Sequence, residues 1–133
     1  MRSTESVTVV LETRLSIDEA VAALEAAAAS EKFGVVGYHH LNETMAKKGI
    51  TMERQVRIVE MCQPNIAKEV VTMEPEISSA LPCRVSVYER DGKNWLCTIK
   101  PTAMLGMFDV PGAAEAAQMV EDTMLRIMEK ARG

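Results

Sequence analysis

The sequence predicts an α+β fold: a two-layer α/β sandwich on one mixed sheet, with the element order β-α-β-α-β-α-β-β-α. Three observations carry this expectation. Runs rich in β-branched residues at 7–13, 33–41 and 54–61 alternate with segments of helical character. An Asp91-Gly92-Lys93 turn joins two more such runs into a hairpin. After Pro111, apolar residues recur along one stripe of a long helix, which needs a surface to cover. The 133 residues fit one domain, 1–133, with one sizeable core.

Taken in order, V-T-V-V-L-E-T at 7–13 is partly alternating and reads as the first strand. Ser16 precedes I-D-E and can cap a helix, with Glu19 in the reciprocal capping-box position. Val21, Leu24 and the run A-A-L-E-A-A-A-A carry that helix to about residue 30. Alanine has the highest helix propensity, and its small face lets a helix approach a sheet closely. F-G-V-V-G-Y-H-H-L at 33–41 is the second strand. Asn42 is expected to cap a short helix, E-T-M-A-K-K, that ends at Gly49.

In the third strand, R-Q-V-R-I-V-E-M at 54–61, Val56 and Ile58 share one face while Arg57 and Val59 share the other. Pro64 starts the next helix, because a first-turn proline lacks only an amide that the helix does not use. A connector at Glu74-Pro75-Glu76 and a short turn at 77–80 lead to the hairpin arms, 83–90 and 94–100, and Pro101 stops the second arm. The last helix runs from about 113 to 130, with Ala116, Met119, Val120, Met124, Ile127 and Met128 on its apolar stripe.

Composition narrows the function classes. Fifteen Lys plus Arg against 19 Asp plus Glu give a net charge of -4, and no long basic cluster offers a phosphate footprint, so nucleic acid is not the expected partner. The opening M-R-S-T-E-S-V-T-V-V lacks the pattern of a secretory signal, and no stretch approaches the roughly 20 apolar residues of a membrane helix. A cytoplasmic protein without membrane attachment is the expectation. Three cysteines without a close-spaced pair read as reduced thiols. Ten methionines suit adaptable packing or a soft-ligand surface.

Several residues are candidates for chemistry. Cys62 falls where a strand ends and a helix begins, a place where free amides and the helix field can lower a thiol pKa. Cys83 opens a strand that could lie beside the one ending at Cys62, making a redox pair or half of a metal site. Cys97 shares a face with Trp95 and Ile99 and reads as a core thiol. His39 and His40, the only histidines, should point to opposite sheet faces; either is a candidate ligand for a substrate, for zinc or copper, or for haem iron. Glu60 shares a face with Ile58 and Cys62, as a possible base or ligand-binding carboxylate. No Walker A loop or dinucleotide fingerprint is present, since the glycines of F-G-V-V-G-Y fall inside a strand.

The order of certain short motifs carries a resemblance. These are F-G-V-V-G-Y, Cys62-Gln63-Pro64, the acidic stretch Glu74 to Ile77, Leu81-Pro82-Cys83 followed by Val85 to Tyr88, and Lys100-Pro101 leading to Met104-Leu105. Over roughly residues 15–108 the chain resembles the bacterial and archaeal family of domains of unknown function numbered 302, which includes small Thermus-type α/β dimers. Glutamine stands at position 63 where asparagine is common in the family. The resemblance implies a two-layer α/β fold and a homodimer, and no particular reaction or cofactor. Three functional readings follow. One is a ligand-binding or thiol-based protein of sulfur or redox metabolism, with Cys62 as nucleophile and Cys83 as resolving thiol. Another is a non-catalytic assembly module using Met119, Met124 and Met128. The third is a haem or soft-metal protein using His39 or His40.

Overall fold

A computed structural model of the chain describes residues 7–133. The short segment 1–6, part of the stretch read above for a secretory signal, lies outside the described residues. Five strands, β1 (Thr8–Thr13), β2 (Gly34–His40), β3 (Val56–Cys62), β4 (Cys83–Arg90) and β5 (Lys93–Ile99), form one sheet in the order β1-β5-β4-β3-β2. The helices are α1 (Ile17–Ser30), α2 (Leu41–Ala46), α3 (Pro64–Met73), α4 (Pro101–Leu105) and α5 (Ala113–Ala131). Short 3₁₀ turns at Pro75–Ala80 and Gly106–Phe108 follow α3 and α4. The α+β class and the expected strand and helix order are those of the molecule.

All four ladders are antiparallel, so among the described residues no parallel pair exists. The β-α-β opening that suggests a mixed sheet is nonetheless real in direction. Four successive reversals across the sheet leave β1 and β2 running the same way, but α1 carries the chain from one edge to the other and the two strands never pair.

Residue choice accounts for the elements. Ser16 Oγ accepts from the Glu19 amide at 3.1 Å, and Glu19 accepts from the Ser16 amide at 3.0 Å, closing the capping box. Those bonds hold the Glu19 carboxyl below its usual range. The alanine run buries Ala20, Ala27 and Ala28 beside Leu24 and brings α1 close to both the sheet and α5. Glu31, at the end of α1, is bonded by Lys130 and Arg126 of α5 and is likewise held low. The hairpin turns on Asp91 and Gly92, both at positive φ (54° and 76°), as a two-residue turn of this kind requires.

The main core lies between α1, α5 and one sheet face, where Val59, Met61, Val85, Val87 and Leu96 meet Leu24, Met124, Ile127 and Met128. A smaller cluster of Val70, Ile77, Leu105, Ala113, Ala116 and Ala117 lies under α3 and α4. Two expectations change here. Met124 and Met128 are fully buried and belong to the core, while Met119 alone is exposed, so the three make no common docking stripe. They part because α5 is itself a layer of the fold. Cys97 does share a face with Trp95 and Ile99, but the buried residues of β5 are Leu96 and Thr98. Cys97 therefore lies half-buried on the side that no described helix covers.

Asn42 also does something other than capping. His40 Nδ1 accepts from the Glu43 amide at 3.3 Å and fills that place, though weakly. Asn42 instead donates to the Met52 and Arg54 carbonyls at 2.8 and 2.9 Å and accepts from the Val56 amide at 2.9 Å, pinning the loop between α2 and β3.

Candidate functional site

The uncovered sheet face carries a three-residue polar cluster. Strand alternation puts Glu60 on that face, opposite Gly37 of β2 and Arg84 of β4. Glu60 Oε1 accepts from His39 Nε2 at 2.8 Å, and Oε2 accepts from Arg84 Nε at 2.9 Å. The Glu60 side chain is 13% exposed, against 50% for His39 and 61% for Arg84. The hydrogen bond from His39, then that from Arg84, hold the Glu60 carboxyl below its usual range despite its burial. A carboxylate only accepts, so the proton in this bond is carried by His39 Nε2.

Local sequence makes this arrangement possible. A bulge between Val35 and Gly37 shifts the β2 register by one residue and seats Gly37 against Glu60. A Cβ on residue 37 would lie 2.2 Å from Glu60 Oε1. Glycine there is the space in which the carboxylate rests.

The thiols are arranged differently. Cys62, the last residue of β3, lies two residues beyond Glu60 on the same face by alternation. Cys83 opposes Met61 and packs against the helix-covered core. β3 and β4 are thus neighbours, as the sequence suggested; alternation starts the two cysteines on opposite faces, but Cys62 ends its strand and both line one apolar pocket at the strand ends. All three cysteines are free thiols. Burial pushes Cys62 up, the reverse of the lowering expected at a helix start. Gln63 caps α3, its Oε1 accepting from the Ile66 amide at 2.7 Å, so that amide is already bonded. Burial, and then the neighbouring Cys62, push Cys83 up to about 11. Burial also raises Cys97, with a hydrogen bond to Thr8 opposing it.

Of the residues singled out in the sequence, His39 and Glu60 come together on one sheet face, and Cys62 and Cys83 meet at the apolar pocket where β3 and β4 end. His40 points the other way and caps α2 beside Arg57, its partner in the ladder. Among the described residues, no three of His, Cys, Asp and Glu gather as a metal site. Sequence reasoning missed Arg84 and Gly37. The signal for Arg84 was the spacing of β3 and β4 as antiparallel neighbours; the signal for Gly37 was a glycine inside a strand, which marks a bulge or a close approach.

Comparison with known proteins places the chain in a family. Residues 7–131 match the family described as "Domain of unknown function DUF302". Among solved structures, the chain is similar to an uncharacterised conserved DUF302 protein from Bacillus stearothermophilus. The two are 25% identical, with a TM-score of 0.90, and the match covers 95% of this chain and 98% of that one. No curated protein matches. No helix among the described residues is long and apolar enough to cross a membrane.

Proposed function

Because the chain belongs to the DUF302 family, a family without an assigned reaction, we propose a role from its own site: a small cytoplasmic homodimer that binds a small oxyacid at His39, Glu60 and Arg84. The observation that carries this reading is the ionised Glu60 carboxylate, seated over Gly37 and bonded on both sides. It fixes one imidazole tautomer and one guanidinium orientation on a strand scaffold. What the bonds to Glu60 leave over for a ligand is Nδ1 of His39 and the terminal nitrogens of Arg84. A planar guanidinium matches a carboxylate or phosphate, and an imidazole nitrogen can bond an adjacent hydroxyl. A hydroxy acid or a protonated phosphate offers both groups.

The other end of the same face supports assembly. Tyr88 and Trp95 oppose each other across β4 and β5, and Arg90 lies 5.4 Å from the Tyr88 ring centre. Tyr, Trp and Arg are the residue types enriched at interface centres. A five-stranded face is about 24 Å wide at the usual strand spacing, the scale of a standard interface. A second copy is the occupant proposed. The raised thiols of Cys62 and Cys83 give thiol exchange no comparable support.

Thermal shifts with lactate, glycolate, acetate and inorganic phosphate test the ligand. Lactate, glycolate or phosphate should stabilise the native chain, and Arg84→Ala and Glu60→Gln should each abolish the shift. A shift that survives both substitutions, or none with any of these probes, would remove the site. Sedimentation of the native chain and of Trp95→Ala tests the dimer: a native monomer would end that part of the reading.

A further inference from the structure

A cavity of about 30 Å³ lies where the ends of β3 and β4 meet α3, α4 and α5, between the two core clusters. Its wall is almost entirely apolar, and the side chains in it that can ligate an ion are sulfur-bearing: Met61, Cys62, Cys83 and Met104. Gln63, the polar exception, has its Oε1 committed to the Ile66 amide. On this measure a single water needs about 10–15 Å³, so water would fit by size, yet a water needs two to four polar partners, which this wall does not offer. A hard cation is equally ill-served without oxygen ligands. One soft ion suits the donors.

Met61 and Cys83 face each other directly across the β3–β4 ladder, so both side chains start from the same, helix-covered face. Met104 joins them from α4. We propose that this cavity is a Cu(I) site, with the Cys83 thiolate and the Met61 and Met104 thioethers as ligands and Cys62 as the entry thiol at the rim. Thiolate sulfur suits Cu(I) and zinc alike, but zinc draws its other ligands from thiolate, imidazole and carboxylate, so a set completed by two thioethers favours Cu(I). One thiolate and one monovalent cation cancel, so the complex adds no net charge to an apolar space, where an unpaired charge is costly. On binding, the Cys83 S–H bond breaks, the proton leaves to solvent, and sulfur donates its electron pair to copper. Copper remains Cu(I) and nothing is oxidised. Burial keeps the free thiol protonated until the metal displaces the proton. The site lies on the helix-covered side and is independent of the His39–Glu60–Arg84 cluster, so the two readings stand or fall separately.

The test uses the full chain without oxygen, supplied with Cu(I) as its bathocuproine disulfonate complex. The protein should withdraw one Cu(I) per chain, and X-ray absorption should show a shell of sulfur alone. Cys83→Ser should abolish the withdrawal, and Cys97→Ser should leave it unchanged. Met104→Leu keeps apolar volume, and so serves even if the serine variant fails to fold; it should weaken binding by about tenfold. The proposal is overturned if no copper is withdrawn, if nitrogen or oxygen enters the shell, if Met104→Leu binds as the native chain does, or if Cys97→Ser loses the metal.

Discussion

Replacing Gly37 with alanine should break the polar cluster while leaving the fold intact. The new Cβ would lie 2.2 Å from Glu60 Oε1 and 3.2 Å from its Cδ. Ordinary contact begins at 3.4 Å, so Oε1 must retreat by about 1.2 Å (3.4 − 2.2). That retreat is away from β2, the strand that carries His39. It takes the 2.8 Å bond to His39 out of hydrogen-bond range before it disturbs Arg84 on the other side. The displaced atom is the far end of a flexible side chain, and alanine gains about 0.5–1 kcal/mol over glycine in a regular element. Stability at neutral pH should therefore change little. The carboxyl should titrate closer to its ordinary value of 4.5, because the His39 bond is the largest cause of its lowering. A carboxyl with a depressed folded value adds stability that is full above 4.5 and is lost as the pH falls through the lower value. The substitution removes that contribution, so any stability difference between native and variant chains due to Glu60 should vanish at acid pH. Carbon-detected NMR titration of the glutamate carboxyls, with urea unfolding at neutral and acid pH, reads both effects. A Glu60 midpoint as low in the variant as in the native chain would mean that the His39 bond does not hold the carboxyl down.

Further substitutions probe the rest of the structure. Met124→Ala should cost about 2–5 kcal/mol in urea unfolding, since this side chain is fully buried between α5 and the sheet; a smaller cost would mean α5 does not close the core. Asn42→Ala should cost about 1–3 kcal/mol and speed amide exchange at 47–55, because it strands the Val56 amide and two loop carbonyls. Unchanged exchange would count against a pinned loop. At pH 8 about one Cys83 in a thousand is thiolate, given a value of about 11. A thiol reagent should modify Cys62 and Cys97 first, and equal rates would contradict the burial of Cys83. The same shift has a sign: a folded value above the ordinary 9.0 favours folding below pH 9.0, and that contribution is lost as pH rises toward 11.

Local patterns made much of the fold legible. The Ser16–Glu19 box, Pro64 at a helix start and the Asp91-Gly92 turn each act through neighbours in sequence, so each could be read directly. What was not legible depended on which surface an element met. Met119 carries the same residue type as Met124 and Met128 but stands about 140° and 180° around α5 from them at 3.6 residues per turn, so once α1 and the sheet take the Met124 side it faces outward. Cys97 looked like core because alternation gives the shared face but not the covered one. Asn42 is a good cap by type, yet the loop that returns to β3 offered it three backbone partners that the sequence could not place. The site divides the same way. The opposite facing of His39 and His40 follows from alternation alone, whereas the union of His39, Glu60 and Arg84 required the register of three strands.

The measurement that bears most directly on the functional account is a residue-resolved NMR titration of the full chain with lactate and with phosphate. The account predicts saturable shifts centred on Gly37, His39, Glu60 and Arg84, all lost in Glu60→Gln. Shifts centred elsewhere, or none with either probe, would contradict it.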